Sequence, residues 1–223
     1  MTIKAVVFDF GGVYTNSPFT GVHAWHVERE LDPAVGLRAV FGPYDDDTDH
    51  PWHRLERGEV ALAAAAEQIK AVAAEEGLDI DLFDLLSAMG GGGGIRQDVV
   101  DLTLELRAAG YRTALITNNV AEFADGWRAM IPVDELFEFV IDSSQVGMRK
   151  PDPRIFTMAL EQLGVGPDEA VFLDDAKGNV AAAVAVGMHA ILVDDDHLPA
   201  FDELQRLLAA EERSIAGEAT PPA

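Results

Sequence analysis

The sequence predicts an α/β fold: a Rossmann-like parallel sheet of about five strands flanked by helices, with a small helical insert after the first strand. Three observations predict it. Short β-branched runs alternate with stretches of helical periodicity, the pattern of a parallel sheet covered on both faces. One long stretch, residues 15–94, carries helical signals and no strong strand signal. Polar residues follow three of the strand runs directly, where ligands of such sheets bind. A chain of 223 residues is long enough for one core with a smaller unit inserted into it.

The first strand is Ile3 to Phe8, a buried run of β-branched and apolar residues. In the insert, Val60 to Glu76 is the best helix, with Leu62, Ile69 and Val72 on one face and Gly77 as its stop. Trp25 to Leu31, Ala34 to Val40 and Leu82 to Met89 are weaker helices. Five consecutive glycines, Gly90 to Gly94, read as a flexible joint at the return to the core. From Gln97 to Gly110 the pattern is helical, with Val99, Leu102, Leu106 and Ala109 on one face. Tyr111 to Ile116 is the second strand and Glu138 to Ile141 a weaker third. Asp152 followed by Pro153 marks a helix start, and Ile155, Phe156, Ala159, Leu160 and Leu163 give its apolar stripe up to Gly164. Ala170 to Leu173 is a strand, Lys177 to Val186 a helix ended by Gly187, His189 to Val193 a strand, and Phe201 to Ala210 a last helix. The expected organisation is therefore a core of residues 1–14 and 95–213, an insert of 15–94, and a tail of 214–223 with little to bury, expected to fray.

Composition narrows the function classes. Sixteen basic against 39 acidic residues give a formal net charge of −23. That argues against nucleic acid or an anionic membrane as the partner, because both need a basic face. The absence of cysteine excludes a disulfide framework, a thiolate zinc site and a cysteine nucleophile. The first apolar run ends at Asp9 and the longest, Val180 to Val193, is broken by Gly187 and His189, so no signal peptide or membrane span is expected. The expectation is a cytoplasmic protein, monomer or homodimer, with a small-molecule substrate.

Asp9 follows the first strand, Thr117, Asn118 and Asn119 the second, and Asp174 and Asp175 the fourth. In parallel strands these groups converge on one edge. Two or three carboxylates there suit a hard cation such as Mg2+ with a substrate phosphate. A carboxylate is also able to act as nucleophile and form an acyl phosphate. Thr117 and Asn118 offer side-chain and backbone donors to phosphate oxygens, and Lys150 completes the neutralisation. No Walker-type glycine loop ending in lysine and Ser/Thr is present, which counts against a nucleotide triphosphatase of that type.

These residues lie in four ordered motifs: V-V-F-D-F-G-G-V at 6–13, A-L-I-T-N-N at 114–119, V-G-M-R-K-P-D-P at 146–153 and V-F-L-D-D-A-K-G-N at 171–179. Together they resemble the haloacid dehalogenase superfamily of hydrolases. The phosphatase domain of soluble epoxide hydrolase and bacterial sugar-phosphate phosphatases look most similar. The resemblance implies a Mg2+-dependent phosphatase of a small phosphorylated metabolite, working through an aspartyl phosphate. It implies Asp9 as nucleophile and metal ligand, Gly11 as a backbone-carbonyl metal ligand, and Thr117 and Asn118 as the phosphate-binding pair. Lys150 would orient nucleophile and phosphate, Asp175 would be the second metal carboxylate, and Asp174 a supporting carboxylate. The insert would be a helical cap over the site.

One position departs from the pattern. Most phosphatases of this superfamily place a second aspartate two residues after the nucleophile, where it protonates the leaving group; here the residue is Gly11. Such acid–base help is worth about 100- to 10,000-fold. Three outcomes follow: substrates with good leaving groups, replacement by a cap residue such as His23, His26 or His53, or a weakly catalytic binding module. Glycine-substituted sequences also occur among similar sugar-phosphate phosphatases, which favours an enzyme. A 2-haloacid dehalogenase is the other enzymatic alternative, and the pair Asp174 and Asp175 counts against it by adding negative charge beside a carboxylate substrate. Asp45, Asp46, Asp47 and Asp49 look calcium-like but lack the EF-hand spacing, so a solvated loop is the expectation there.

Overall fold

Strands form where both neighbours of a residue are buried. In β1 (Ala5–Phe8) all four residues are buried, and Val6 and Phe8 point into one apolar cluster while Ala5 and Val7 point into another. That is the period-two alternation of a strand covered on both faces. The computed structural model describes residues 2–89 and 94–218. The glycine joint lies for the most part outside them, since only Gly94 is described.

After β1 come α1 (Pro18–Glu28), α2 (Pro33–Phe41), α3 (Pro51–Glu56), α4 (Leu62–Glu75) and α5 (Leu82–Met89), then α6 (Gln97–Ala108) and β2 (Arg112–Thr117). Three short helices flank β3 (Phe139–Asp142): α7 (Ala124–Arg128), α8 (Val133–Leu136) and α9 (Ser143–Val146). The chain continues through α10 (Pro153–Leu163), β4 (Ala170–Asp174), α11 (Lys177–Val186), β5 (His189–Leu192) and α12 (Leu198–Glu218). Proline opens α1, α2, α3 and α10 at the position where a missing N–H costs nothing. Asp32 and Asp152 cap α2 and α10 by accepting backbone N–H bonds.

All strand pairs are parallel and the order is β3-β2-β1-β4-β5. The five-stranded parallel sheet is the one the sequence predicts. The connections leave β1 toward β2 and β3, then return to its other side for β4 and β5. The carboxyl end of β1 is thus the point where strand order reverses, and crevices form there. One sheet face is covered by the cluster that includes Leu106, Leu136, Phe201 and Leu204, the other by Ile155, Phe156, Leu160 and Leu163 of α10 with Ala183 of α11. The helices α1–α5 have their own apolar cluster around Trp25, Phe41, Trp52, Leu55 and Ile69, which Val120 joins from beyond β2.

The sequence gives no signal for α3, because its six residues include Pro51, Trp52 and His53 and show no helical stripe. Of the tail 214–223, residues up to Glu218 continue α12, and the rest lie outside the described residues. The segment after Leu208 is rich in alanine, glutamate and arginine, which propagate a helix once nucleated.

Candidate active site

Lys150 is the hub of the reversal point. Its Nζ donates to Asp9 Oδ1 at 2.6 Å, to Asp174 Oδ2 at 2.7 Å and to the Ile116 carbonyl at 2.8 Å. All three ammonium protons are used, and the side chain is 1% exposed. Asp9 stands one residue beyond β1, whose last residue Phe8 is in register with Leu115 and Leu173. Asp174 is the last residue of β4, and Thr117 the last of β2. The sheet register therefore delivers three strand ends to one point.

Asp174 is saturated. Besides Lys150 it accepts from the Ala176 backbone N–H at 2.7 Å and from Asn179 Nδ2 at 3.0 and 3.1 Å. Asp175 is half-buried, and the Gly12 backbone packs so close that a Cβ there would lie 2.1 Å from its Oδ2. One oxygen from each of Asp9, Asp174 and Asp175 lies within 4.8 Å of the others, and among the described residues no other such carboxylate or imidazole group is found. Burial pushes the Asp9 carboxyl up to about 8, with Asp174 and Asp175 adding to the rise and Lys150 opposing it. Burial and Asp174 likewise push Asp175 up to about 6. Burial works to lower Lys150, but Asp174 and Asp9 outweigh it and hold it above the ordinary lysine range. Three carboxyl groups thus crowd one ammonium, and ionising all three would leave two negative charges unbalanced. An all-oxygen donor set with that surplus fits a hard divalent cation.

A cavity of about 60 Å3 opens on this cluster, lined among others by Asp9, Gly11, Thr117, Asn118, Lys150 and Asp175. The sequence-predicted residues Asp9, Gly11, Thr117, Asn118, Lys150 and Asp175 therefore share one cavity, with Asp174 directly behind it. The Thr117 hydroxyl has no hydrogen-bond partner among the described residues and faces this cavity. Asn118 is different. Its Nδ2 donates to the Lys150 carbonyl at 2.9 Å and its Oδ1 accepts the Lys150 N–H at 2.7 Å. The amide clamps the Lys150 peptide, which leaves the Asn118 backbone N–H and the second Nδ2 hydrogen as donors.

None of His23, His26 and His53 lines this cavity. His23 is exposed, and His26 is buried against Gly36 with Nδ1 bonded to the Val22 carbonyl at 2.8 Å. His53 is buried, and burial, Arg149 and His50 lower its pKa to about 3, so it is neutral at pH 7. The acidic run disperses as expected of a loop. Asp47 pairs with Arg57, and Asp45 accepts the Gly178 N–H at 2.9 Å.

Sequence reasoning missed Arg149, Tyr44 and Asn179. Arg149 is fully buried and pairs with Glu56 of α3 at 2.7 Å. Its signal was a single arginine beside Lys150 in a chain of 16 basic residues. Tyr44 lines the cavity from the insert, and Asn179 secures Asp174.

The family model for haloacid dehalogenase-like hydrolases matches residues 3–187. The chain belongs to this family. It is 32% identical over 209 residues to mouse Acyl-CoA dehydrogenase family member 10, covering 92% of this chain and 19% of the relative. It is 29% identical over 210 residues to Sesquiterpene phosphatase astK of Aspergillus oryzae, covering 93% of this chain and 97% of that protein. The chain spans two fifths or less of the length of four of the curated relatives it matches. Among solved structures, a HAD family enzyme of Bacteroides thetaiotaomicron in complex with magnesium and inorganic phosphate has the same fold. Its TM-score is 0.60 at 22% identity, covering 87% of this chain and 96% of that one. This haloacid dehalogenase-like hydrolase also has no helix among its described residues that is long and apolar enough to cross a membrane.

Proposed function

We propose that this hydrolase is a Mg2+-dependent phosphatase of small phosphate monoesters. The observation that carries the reading is the Lys150 ammonium held between Asp9 and Asp174, with Asp175 beside them and a small cavity opening on Asp9. That arrangement presents a carboxylate nucleophile, a fixed positive charge and a surplus of carboxylate oxygens to one phosphate-sized space. A metal-free dehalogenase would have no use for the surplus. The relative named as a phosphatase and the solved neighbour holding magnesium and phosphate point the same way.

In the proposed reaction an Asp9 carboxylate oxygen attacks phosphorus in line and the bond to the alcohol oxygen breaks. Lys150, the free Thr117 hydroxyl and the Asn118 backbone N–H spread the charge of the transferring group. Water then attacks phosphorus, phosphate departs and Asp9 is restored. The water supplies the oxygen of the phosphate, and protons return to the alcohol from the solvent, since residue 11 is a glycine. Mg2+ would be held by Asp9, Asp175 and the Gly11 carbonyl with Asp174 in support, and would neutralise phosphate oxygens. The helices α1–α5 act as a cap that limits water and selects the substrate.

The test is phosphate release from p-nitrophenyl phosphate and a panel of metabolite phosphates, with Mg2+ or with chelator. Wild type turns over only with Mg2+, and Asp9→Asn loses more than about 1,000-fold. Turnover that survives Asp9→Asn or chelation overturns the reading.

A further inference from the structure

Beside the phosphate-sized space lies a second cavity of about 520 Å3, and the two share Phe19, Tyr44 and Asp175. A volume of that order accommodates a whole organic ligand, for which about 300–1,000 Å3 is usual. Its walls are largely apolar: Phe19 from α1, Leu37 and Phe41 from α2, and Pro43. Phe19 meets Phe41 edge-on at 5.2 Å and Tyr44 at 4.9 Å, so the aromatic wall is packed in place. The neutral and acidic polar groups of the lining are already engaged. Ser17 bonds the Asp175 carboxylate, and Asp45 holds the Gly178 N–H.

Two cations complete the lining, Arg38 on the exposed face of α2 and Lys177 at the start of α11. Neither has a hydrogen-bond, ion-pair or ring partner among the described residues. Within residues 2–89 and 94–209 the other basic side chains, Lys70 excepted, all have one. Of the three unengaged cations among those residues, two thus border this one cavity, in a chain of net charge −23.

Resting on the phosphatase reading, we infer that this cavity receives the alcohol part of the substrate, and that the substrate is a phosphate monoester of a mainly apolar alcohol bearing a second anionic group. The apolar walls take the carbon body, which gains by leaving water. Arg38 and Lys177 take the second anion, by charge-assisted hydrogen bonds. A sugar ring fits less well, because hydroxyls set against Phe19, Leu37, Phe41 and Pro43 find no partner there. Hydrolysis splits the P–O bond, water giving its oxygen to phosphate and a proton to the departing hydroxy acid.

The experiment compares kcat/KM with Mg2+ for 10-phosphooxydecanoate, decyl phosphate, glucose 6-phosphate and p-nitrophenyl phosphate. Wild type favours the carboxylated chain over decyl phosphate, and decyl phosphate over glucose 6-phosphate, each by about tenfold or more. In Arg38→Gln/Lys177→Gln the preference for the carboxylated chain over decyl phosphate falls below about threefold. In Leu37→Trp, which fills the cavity from α2, the ratio of decyl to p-nitrophenyl phosphate falls about tenfold. Glucose 6-phosphate equal to or better than the chain esters overturns the proposal, as does a carboxylate preference that survives loss of both cations. Turnover of the aryl ester with either result leaves the phosphatase reading standing. Failure of all four esters, the aryl one included, overturns that reading and this proposal together.

Discussion

Arg149 Nε donates to Glu56 Oε2 at 2.7 Å, and both side chains are sealed from solvent. Arg149 also reaches the Asp46 carbonyl at 2.6 Å and lies 5.1 Å from the Tyr44 ring centre. One residue of the core thereby grips the insert at three places, and its chain neighbour Lys150 holds Asp9 and Asp174. Burial raises the Glu56 carboxyl while Arg149 opposes the rise, so the pair is needed to keep either charge inside. Arg149→Met alone should cost about 3–5 kcal/mol because it strands a buried carboxylate. Arg149→Met with Glu56→Leu should cost clearly less than the sum of the single changes. Urea melts of the four proteins in a double-mutant cycle measure this, and additive losses would contradict it.

Gly11 and Gly12 are adjacent and should respond in opposite ways. A Cβ at Gly11 would meet only Pro18, at 3.5 Å, an ordinary contact. Gly11→Asp should therefore fold normally and raise turnover of alkyl phosphates, whose leaving groups need a proton, by about tenfold or more. At Gly12 φ is +75° and a Cβ would collide with the Asp175 carboxylate. Gly12→Ala should lose about 1–3 kcal/mol and weaken Mg2+ binding. Steady-state kinetics and thermal melts distinguish the two, and equal tolerance of both changes would be the failing result.

His53 gives the fold a pH dependence. It is buried, its Nδ1 accepts the Thr48 N–H at 3.0 Å, and its pKa is lowered from 6.5 to about 3. Between those values the unfolded chain binds a proton that the folded one refuses, so the His53 contribution is full above about pH 6.5 and is lost as the pH falls through the window. Asp9 and Asp175, raised to about 8 and about 6, act in the opposite sense over part of this range, so His53 is read by difference: relative to wild type, the urea midpoint of His53→Gln should rise as the pH falls from 7.5 to 5. An unchanged slope in the variant would assign the effect elsewhere.

Cation binding should be visible without any substrate. Three carboxylates crowd Lys150, so Mg2+ relieves repulsion in the folded state alone. At about 100 times its dissociation constant it should add about 2.7 kcal/mol of stability, reversed by chelator. Asp175→Asn should lose most of this gain. Calorimetric melts that do not respond to Mg2+ would count against a cation at this cluster.

The sheet was legible because each strand is a short apolar run whose next residues change abruptly to polar, as Phe8 to Asp9 and Leu173 to Asp174 do. The convergence of Asp9, Thr117, Lys150 and Asp175 followed from that topology and the motifs. The role of the Asn118 side chain was not legible: an amide beside a threonine reads as a ligand, and only its two bonds to the Lys150 peptide assign it to positioning. The place of the insert's histidines, candidates for the missing acid but more often ordinary packing residues, was open for a similar reason. A weak helical pattern does not say which way its polar side chains turn, and His26 and His53 turn into the insert's own interior. Helix α3, which carries Glu56, is too short to produce a periodic signal.

The register of the sheet places Asp9, Thr117 and Asp174 at strand ends, whereas Leu37, Arg38 and Phe41 of the larger cavity all belong to the nine residues of α2. On the proposed reading, the groups that act on the bond sit at strand ends while much of the wall that admits the substrate sits in α2, with Asp175 and Lys177 as the points where the two stretches meet. A lineage that rewrites α2 explores new substrates while its chemistry stays intact, whereas any change at the strand ends risks everything at once.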